Sequence, residues 1–231
     1  MESGIKFSAA RVRDAGAKTL TDIIADSEEA RERAARAVAA GGVLAFRTDT
    51  FYGLGADPFD ERAVAAVNEL KGREGKPILV LVATASDAAR LIARTSQAFD
   101  ALAARHWPGA LTLIGEAKAE LPALLTAGTG TVGVRLPADE HARSVVKASG
   151  GALTATSANP SGLPPARSAE EAARYFPSGL AFVIDGGPSL TELPSTVLDV
   201  TGERPRLVRE GVVTRRELEE TFRAGSFELG P

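Results

Sequence analysis

The sequence predicts a single α/β domain in which helices pack on a twisted mixed β-sheet. Short apolar runs typical of buried strands alternate with amphipathic segments typical of helices through most of the 231 residues. The last three strand candidates follow one another with few helices between them, which favours a mixed sheet over a purely parallel one. A hydrophobic content of 44% is enough for a sizeable core.

The predicted strands are short, and most are bounded by glycine, proline or a helix start. In chain order they cover residues 43–46, 78–82, 111–114, 131–136, 153–156, 180–184, 196–200 and 206–208, with an edge strand at 5–7. Residues 48–55 are predicted to form a polar turn and a glycine-spaced loop, because glycines at 53 and 55 permit close approach of the backbone to a ligand.

Helix starts are predicted at residues that accept hydrogen bonds from the free N–H groups of a first turn. An acidic residue three positions after a serine or threonine cap strengthens such a start. The predicted caps are Asp26, Asp60, Ser86, Ser96, Ser168 with Glu171, and Thr214 with Glu217. We expect an N-terminal extension at residues 1–25, a main domain at 26–213 and a C-terminal helix and tail at 214–231.

The composition argues against several classes of function. The net charge of −3 gives no global attraction to nucleic acid or an anionic membrane. The absence of cysteine excludes disulfides, thiolate metal sites and a thiol nucleophile. The two histidines, His106 and His141, argue against a multi-histidine metal centre, and His141 is predicted to be polar surface. We expect a cytoplasmic protein, since no signal pattern or membrane-length apolar run is present.

One stretch, residues 42–82, suits an anionic, phosphate-bearing ligand. A strand leads into the polar turn 48–50, and a helix ends at Lys71, Gly72 and Arg73, with Lys76 following. Hydroxyls, backbone amides and cations are the groups that bind phosphate. The alternative is an ordinary solvated helix end, where cations favour the negative end of the dipole. Neither a Walker A loop nor a dinucleotide-binding fingerprint is present.

Polar residues elsewhere extend this candidate site. Arg135 stands in an apolar strand, so it either faces solvent or is buried with an anionic partner. Arg209 has a similar setting. Ser157 and Asn159 follow a strand end, where ligands bind in open α/β sheets, although a structural turn is the alternative. Trp107 is predicted to be a packing aromatic rather than a base-stacking platform.

Seven short motifs occur in one order across residues 28–213. They are Thr48-Asp49-Thr50-x-Tyr52-Gly53-Leu54, Lys71-Gly72-Arg73 with Lys76-Pro77, Pro108-Gly109-Ala110-Leu111-Thr112, Val134-Arg135-Leu136-Pro137, Thr156-Ser157-Ala158-Asn159-Pro160-Ser161-Gly162, Ser195-Thr196-Val197-Leu198-Asp199 and Arg209-Glu210-Gly211. In this order the chain resembles the YrdC-like threonylcarbamoyl-AMP synthase family. It departs from the family pattern at Arg47, where proline is common, at Leu81, where several members have histidine, and in a loop from Arg73 to Lys76 that is one residue short.

The resemblance implies a single YrdC-like domain with a basic concave ligand cleft, in the short form without the additional C-terminal domain. It implies condensation of L-threonine, bicarbonate and ATP to threonylcarbamoyl-AMP and pyrophosphate, for threonylcarbamoyladenosine in tRNA. Lys71 and Arg73 would be catalytic. Threonine would be held by Thr50, Arg135, Ala155 and Ser195, and ATP by Lys71, Arg73, Lys76, Thr131, Ser157, Asn159 and Arg209.

The resemblance also implies partners and leaves alternatives open. Mg²⁺ is expected to arrive with ATP, without a protein-bound metal cage. A tRNA contact and a downstream threonylcarbamoyl transferase are the expected macromolecular partners. One alternative is an RNA-binding module of the same fold without adenylation activity. The other is a carbamoyl transferase related to the enzymes that use carbamoyl phosphate in hydrogenase maturation, although those carry additional domains.

Overall fold

The computed structural model describes residues 21–72, 75–224 and 230, so the edge strand predicted at 5–7 lies outside the described residues. The mixed α/β prediction is confirmed. The strands are β1 (Ile23–Ala25), β2 (Leu44–Arg47), β3 (Tyr52–Gly55), β4 (Val80–Val82), β5 (Leu111–Glu116), β6 (Thr131–Arg135), β7 (Ala152–Thr154), β8 (Thr156–Ser157), β9 (Val183–Asp185), β10 (Thr196–Asp199) and β11 (Arg206–Arg209). The helices are α1 (Glu28–Ala39), α2 (Glu61–Lys71), α3 (Gln97–His106), α4 (Ala123–Thr126), α5 (Glu140–Ala148), α6 (Ala169–Tyr175) and α7 (Arg215–Ala224), with a 3-10 helix at Ala85–Arg90.

The strands, expected in one sheet, are divided between two mixed sheets. The first has the order β1-β9-β2-β3-β8, and β9 runs parallel to both β1 and β2. The second has the order β11-β10-β5-β6-β4-β7 and contains two parallel pairs, β10 with β5 and β4 with β6. The late strands predicted to close one sheet therefore separate, because β9 enters the first sheet while β10 and β11 form the edge of the second.

The segment predicted to be an open glycine-spaced loop contains strand β3. It pairs antiparallel with β2, so residues 48–51 form the tip of a hairpin. Gly55 is required by packing, because a Cβ atom there would lie 2.7 Å from the ring of Phe46. The two glycines lower the strand propensity of this segment, which explains why the sequence pattern did not predict β3.

Two apolar clusters hold the layers together. The larger cluster takes side chains from both sheets and from α2, α3, α4, α6 and α7. The smaller one lies under α1 and α5 and contains side chains of β2, β4, β7 and β9. Strand β2 contributes to both, since Ala45 faces the first cluster while Leu44 and Phe46 face the second. This alternation is the usual consequence of the two-residue period of a strand.

Thr154 connects the two sheets by hydrogen bonds. The residue is fully buried at the end of β7 in the second sheet. Its Oγ1 donates to the carbonyl of Leu54 at 3.0 Å and accepts from the amide of Ala56 at 2.9 Å, at the end of β3 in the first sheet. The amide of Thr154 donates in turn to the carbonyl of Ala56. The edges of the two sheets thus share a buried set of backbone and hydroxyl contacts.

Most of the predicted helix starts are confirmed. Caps are present at Asp60, Ser96 and Ser168, and Thr214 and Glu217 bond reciprocally before α7. Two predictions are wrong. Ser27, rather than Asp26, caps α1, because the Asp26 carboxylate is paired with Arg31 and contacts His141. Thr84, rather than Ser86, caps the 3-10 helix, through a capping box with Asp87.

The ends of the described chain are packed on the domain. Strand β1 pairs with β9, so the predicted boundary between residues 25 and 26 falls at the end of a sheet strand. Helix α7 buries Leu218 and Phe222 in the larger cluster. Within the described part of the chain, no helix combines the length and apolar character that crossing a bilayer requires.

Candidate functional site

A cleft of about 290 Å³ opens where the β2–β3 hairpin meets the second sheet. Its walls are formed by the end of β6, the start of β10, the end of β11 and the segment around β8. The lining is Thr48, Thr50, Phe51, Tyr52, Gly53, Pro77, Leu79, Arg135, Ala155, Thr156, Ser157, Pro165, Pro194, Ser195, Val197 and Arg209. Hydroxyls and two arginines thus supply most of the polar groups in this cleft.

Of the two settings left open for Arg135, the structure shows the buried one, with an anionic partner. The residue is 4% exposed, and Nη1 donates to the Asp49 carboxylate. The other oxygen of Asp49 accepts from the amide of Ala138 at 3.2 Å. Among the described residues, Nε of Arg135 has no hydrogen-bond partner. An unpaired N–H of a buried guanidinium is costly unless a ligand satisfies it.

Arg209 is clamped to the start of β10. Its Nε and Nη2 donate to the carbonyl of Ser195 at 3.1 and 2.9 Å, and Nη2 donates to Ser195 Oγ at 3.2 Å. Burial lowers the pKa of Arg209 from its ordinary value, and the positive charge of Arg135 lowers it further. Two cations that repel each other in one cleft favour the binding of an anion between or beside them.

Buried hydroxyls add to the polarity of the cleft. Thr48 Oγ1 lies 3.2 Å from Thr50 Oγ1 at the hairpin tip, and Thr112 Oγ1 lies 3.0 Å from Ser195 Oγ. The Tyr52 hydroxyl donates to the carbonyl of Gly187 at 2.8 Å and lies 3.2 Å from Asp185. Burial, followed by the charge of Asp185, raises the pKa of Tyr52, so it remains a neutral donor.

Lys71 lies behind one wall of the cleft. It is 4% exposed at the end of α2, and Nζ donates to the carbonyl of Ser157 and to that of Asn159, the latter at 2.8 Å. Ser157 Oγ and Asn159 Oδ1 lie 3.5 and 3.4 Å from the same ammonium. Lys71 thus fixes the backbone of the loop that carries Ser157 into the cleft.

The structure brings together six of the predicted site residues and separates others. Lining the cleft are Thr50, Arg135, Ala155, Ser157, Ser195 and Arg209. Lys71 and Asn159 lie behind Ser157, Lys76 is exposed just before Pro77, and Thr131 begins β6 at its other end from Arg135. Arg73 lies outside the described residues, so its role stays a prediction.

Several residues that shape the cleft carry no role predicted from the sequence. The walls of the cleft are supported from behind by Thr112, which contacts Ser195, and by Asp185, which contacts Tyr52. A further support is the ion pair between Arg47 and Asp139, at 2.8 Å. Thr112 stands in one of the seven motifs, which was the available signal. The partners of Tyr52 and Arg47 are more than 90 residues away in the chain, so local pattern gave no signal for them.

The described residues contain no group of three or more histidine, cysteine, aspartate or glutamate side chains placed to hold a metal ion. The donor set of the cleft consists of guanidinium, hydroxyl and backbone groups. The guanidinium, hydroxyl and amide donors among them suit an anionic ligand.

The fold and the cleft define an α/β protein in which a cleft with two arginines and several hydroxyls lies between two mixed sheets. The chain belongs to the Sua5–YciO–YrdC family, whose model, described as "Telomere recombination", matches residues 36–211.

Named relatives agree with this membership. The chain is 37% identical over 192 residues to the threonylcarbamoyl-AMP synthase of Pyrococcus abyssi, covering 83% of this chain and 56% of that protein. It is 36% identical over 202 residues to the threonylcarbamoyl-AMP synthase of Bacillus subtilis, covering 87% and 58%. The chain thus spans a little over half the length of these two relatives. A crystal structure of P. abyssi Sua5 complexed with L-threonine superposes with a TM-score of 0.86 at 35% identity, covering 91% of this chain and 63% of that one.

Proposed function

We propose that this protein is an L-threonylcarbamoyladenylate synthase, which condenses L-threonine, bicarbonate and ATP to threonylcarbamoyl-AMP and pyrophosphate. The observation that carries the proposal is the cleft with two arginines and converging hydroxyls, in a chain of this family. The relatives named above bear the same activity in their names, and one was crystallised with L-threonine. The product would supply the threonylcarbamoyl group for the formation of N6-threonylcarbamoyladenosine in tRNA.

Threonine would occupy the part of the cleft nearest Arg135. The Arg135 guanidinium lines the cleft, so the threonine carboxylate would meet a cationic donor there. Ser195 and Thr50 would supply hydroxyls, and the backbone at Ala155 would complete the enclosure. Leu79 and Val197, also in the lining, would contact the threonine methyl group.

The nucleotide would extend from Ser157 toward Arg209. Lys71 and Arg73 would act on the reacting phosphates, with Lys76, Thr131 and Asn159 around the polyphosphate. The burial of Lys71 against the 157–159 loop supports a role in holding the nucleotide wall of the cleft in place. Cations aimed at a transferring phosphoryl group stabilise the charge that develops there.

The reaction requires no nucleophile from the protein. The threonine amine and bicarbonate form a carbamate with loss of water, and a carbamate oxygen attacks the α-phosphorus of ATP while pyrophosphate leaves. The protein must hold the reactants together, and orientation of this kind can lower a barrier by ~7–11 kcal/mol. A cleft rich in donors and poor in titratable bases suits such a reaction.

Mg²⁺ would supply charge neutralisation on the polyphosphate of ATP. The donor set of the described cleft fits a metal that enters with its substrate, held by phosphate oxygens and water, because the cleft presents cations and hydroxyls to the phosphates.

Pyrophosphate release from ATP tests the proposal. We expect release to require threonine and bicarbonate together, and to fall to background when either is omitted. Arg135→Ala should abolish the threonine-dependent release of pyrophosphate. Arg94→Ala, which removes an exposed ion pair with Glu116, should leave that release unchanged. Equal rates without threonine, or RNA binding without any turnover, would contradict the proposal.

We further propose that a separate transferase moves the threonylcarbamoyl group from the product to tRNA. This protein would itself contact tRNA. The reaction would take place in the cytoplasm, where ATP and tRNA are available. A tRNA gel shift with the purified protein, repeated at rising salt, would measure the contact directly, since phosphate contacts weaken as salt rises.

A further inference from the structure

The neighbours of the Ser195 hydroxyl determine where its proton points. Ser195 Oγ receives a hydrogen bond from Nη2 of Arg209 at 3.2 Å. A guanidinium can only donate, so one lone pair of this hydroxyl oxygen is occupied. The second neighbour of the same oxygen is Thr112 Oγ1, at 3.0 Å. Either hydroxyl could donate in that pair, and the surroundings decide which one does.

Thr112 has a single reasonable direction for its proton. The residue is fully buried on β5, and its methyl group packs on Gly133, since a Cβ atom there would lie 3.2 Å from Thr112 Cγ2. Within the described part of the chain, Ser195 Oγ is the hydrogen-bond partner of its hydroxyl. A Thr112 proton pointing elsewhere would be buried without an acceptor, which is unfavourable. Thr112 therefore donates to Ser195.

We infer that Thr112 is a positioning residue that fixes Ser195 as a hydrogen-bond donor to the cleft. With both lone pairs of Ser195 Oγ occupied by Arg209 and Thr112, its own proton is left to point into the cleft that it lines. Arg135 and Ser195 then both present donors at this end of the cleft. Such a pair favours a carboxylate over a group that itself donates, such as the nitrogen of a carboxamide.

The inference rests on the proposed function for the identity of the ligand, because it makes Ser195 a carboxylate-selecting group for threonine. The proton arrangement itself belongs to the ligand-free protein. The two parts are tested by separate measurements, so failure of one is distinguishable from failure of the other.

A neutron crystal structure of the full chain, exchanged into heavy water and without ligand, tests the arrangement. We expect the Thr112 deuterium on the line to Ser195 Oγ and the Ser195 deuterium directed into the cleft. A Ser195 deuterium on the line to Thr112 would overturn the inference, whatever the enzyme's activity. A wild-type protein without threonine-dependent pyrophosphate release would overturn the proposed function and leave the deuterium positions to decide the inference.

Substitution of Thr112 tests the consequence for selectivity. Thr112→Val keeps the shape and removes the donor, so Ser195 becomes able to accept from a ligand. We measure binding of L-threonine and L-threoninamide by calorimetry, and expect the preference for threonine to fall about fivefold to tenfold, as for one altered hydrogen bond. Thr112→Ser, which restores the donor, should recover the wild-type preference. A purely structural role would weaken both ligands equally, and that result, or an unchanged preference in Thr112→Val, would overturn the inference.

Discussion

Asp49 holds one end of the Arg135 guanidinium and so determines how much positive charge the cleft retains. Both side chains are almost fully buried, and the second oxygen of Asp49 binds the amide of Ala138 ahead of α5. The ion pair therefore links the hairpin tip to the second sheet. Arg209 lines the same cleft and is close enough to Arg135 for the two charges to repel each other. Among the described residues Arg209 has no carboxylate partner, so the cleft keeps a net positive charge.

We predict that Asp49→Asn destabilises the protein by ~3 kcal/mol, because removal of one partner leaves a buried charge uncompensated. L-Threonine should then raise the melting temperature of the variant more than that of the wild type, since its carboxylate supplies the missing charge. Thermal unfolding with and without threonine measures both effects. Asp22→Asn, which removes an exposed ion pair with Arg33, is the matched control. A loss no larger than that of the control would show that Asp49 does not carry this role.

For single residues, the sequence predicted the type of interaction better than the partner residue. The apolar strand around Arg135 allowed either a solvent-facing or a buried, anion-paired side chain. The partner that the structure shows, Asp49, lies 86 residues earlier in the chain. Lys71 was predicted to hold phosphates, and the structure shows it bonded to the 157–159 loop. In both cases the local pattern indicated a charge, whereas the partner depended on the sheet pairing that brings distant segments together.

At the scale of elements, the turn after β11 fixes the position of Arg209 relative to Ser195. The amide of Gly211 donates to Thr196 Oγ1 at 2.9 Å, and a Cβ atom at this position would lie 2.1 Å from the carbonyl oxygen of Pro194. The clash is with backbone, so a side-chain rotation cannot relieve it. A glycine is therefore required where β10 and the turn after β11 approach each other beside the cleft.

Gly211→Ala should destabilise the protein by about 1–3 kcal/mol, the usual range for forced overpacking. It should also lower pyrophosphate release more than stability alone explains, because the Arg209–Ser195 clamp is displaced. Chemical denaturation and turnover at a temperature where the variant is folded separate these effects. Gly202→Ala, whose Cβ atom would meet nothing closer than 3.8 Å, should behave like the wild type. Full activity in Gly211→Ala would contradict the prediction.

Helix α7 is attached to α3 through His106. Thr221 Oγ1 donates to the carbonyl of Glu217 at 3.0 Å, so the contact at 2.8 Å from His106 Nε2 requires the histidine to donate. Burial lowers the pKa of His106 below its ordinary value of 6.5, and the charge of Arg105 lowers it further. The neutral imidazole is therefore the form that the packed helices favour.

This shift has a defined sign for stability. The unfolded chain takes up a proton at His106 before the folded chain does, so the contribution is complete above pH 6.5 and is lost as the pH falls toward the folded pKa. We predict that lowering the pH from 7.5 to 5.5 reduces the free energy of unfolding of the wild type more than that of His106→Gln. Urea denaturation at both pH values measures the difference. A steeper loss in the variant would refute the assignment.

Strands and helices were predicted correctly where a short stretch of sequence carries the pattern that defines them. The apolar runs and the caps at Asp60, Ser96 and Ser168 marked strands and helix starts correctly. Strand β3 was missed because its glycines weaken the strand pattern while serving a packing need beside Phe46. The division into two sheets was not predicted either, since strand pairing depends on contacts between distant segments that no short window contains.

At the scale of the molecule, the cleft exists because two sheets with different strand orders meet at one edge. The β2–β3 hairpin of the first sheet faces β6 and β10 of the second, and each supplies part of the lining. The larger apolar cluster takes side chains from both sheets. The site therefore depends on the two sheets keeping their relative position. The hydrogen bonds of Thr154 fix that position where β3 and β7 approach.

Thr154→Val tests whether the sheets unfold as one unit. The substitution preserves volume but leaves the amide of Ala56 without an acceptor and the carbonyl of Leu54 without this donor, which should cost ~1–3 kcal/mol. Thr95→Val, at an exposed position, is the control. Trp107, whose indole bonds to Leu111 at the start of β5, reports on the second sheet, and circular dichroism reports on the whole fold.

We expect the two signals to change together in the wild type and in Thr154→Val, with the midpoint of the variant shifted to lower denaturant. The shared apolar cluster makes separate unfolding of either sheet unfavourable, because each would expose the cluster side chains of the other. Two separated transitions in the variant would show that Thr154, rather than the apolar cluster, couples the sheets. The cleft would then owe its integrity to a single buried hydroxyl.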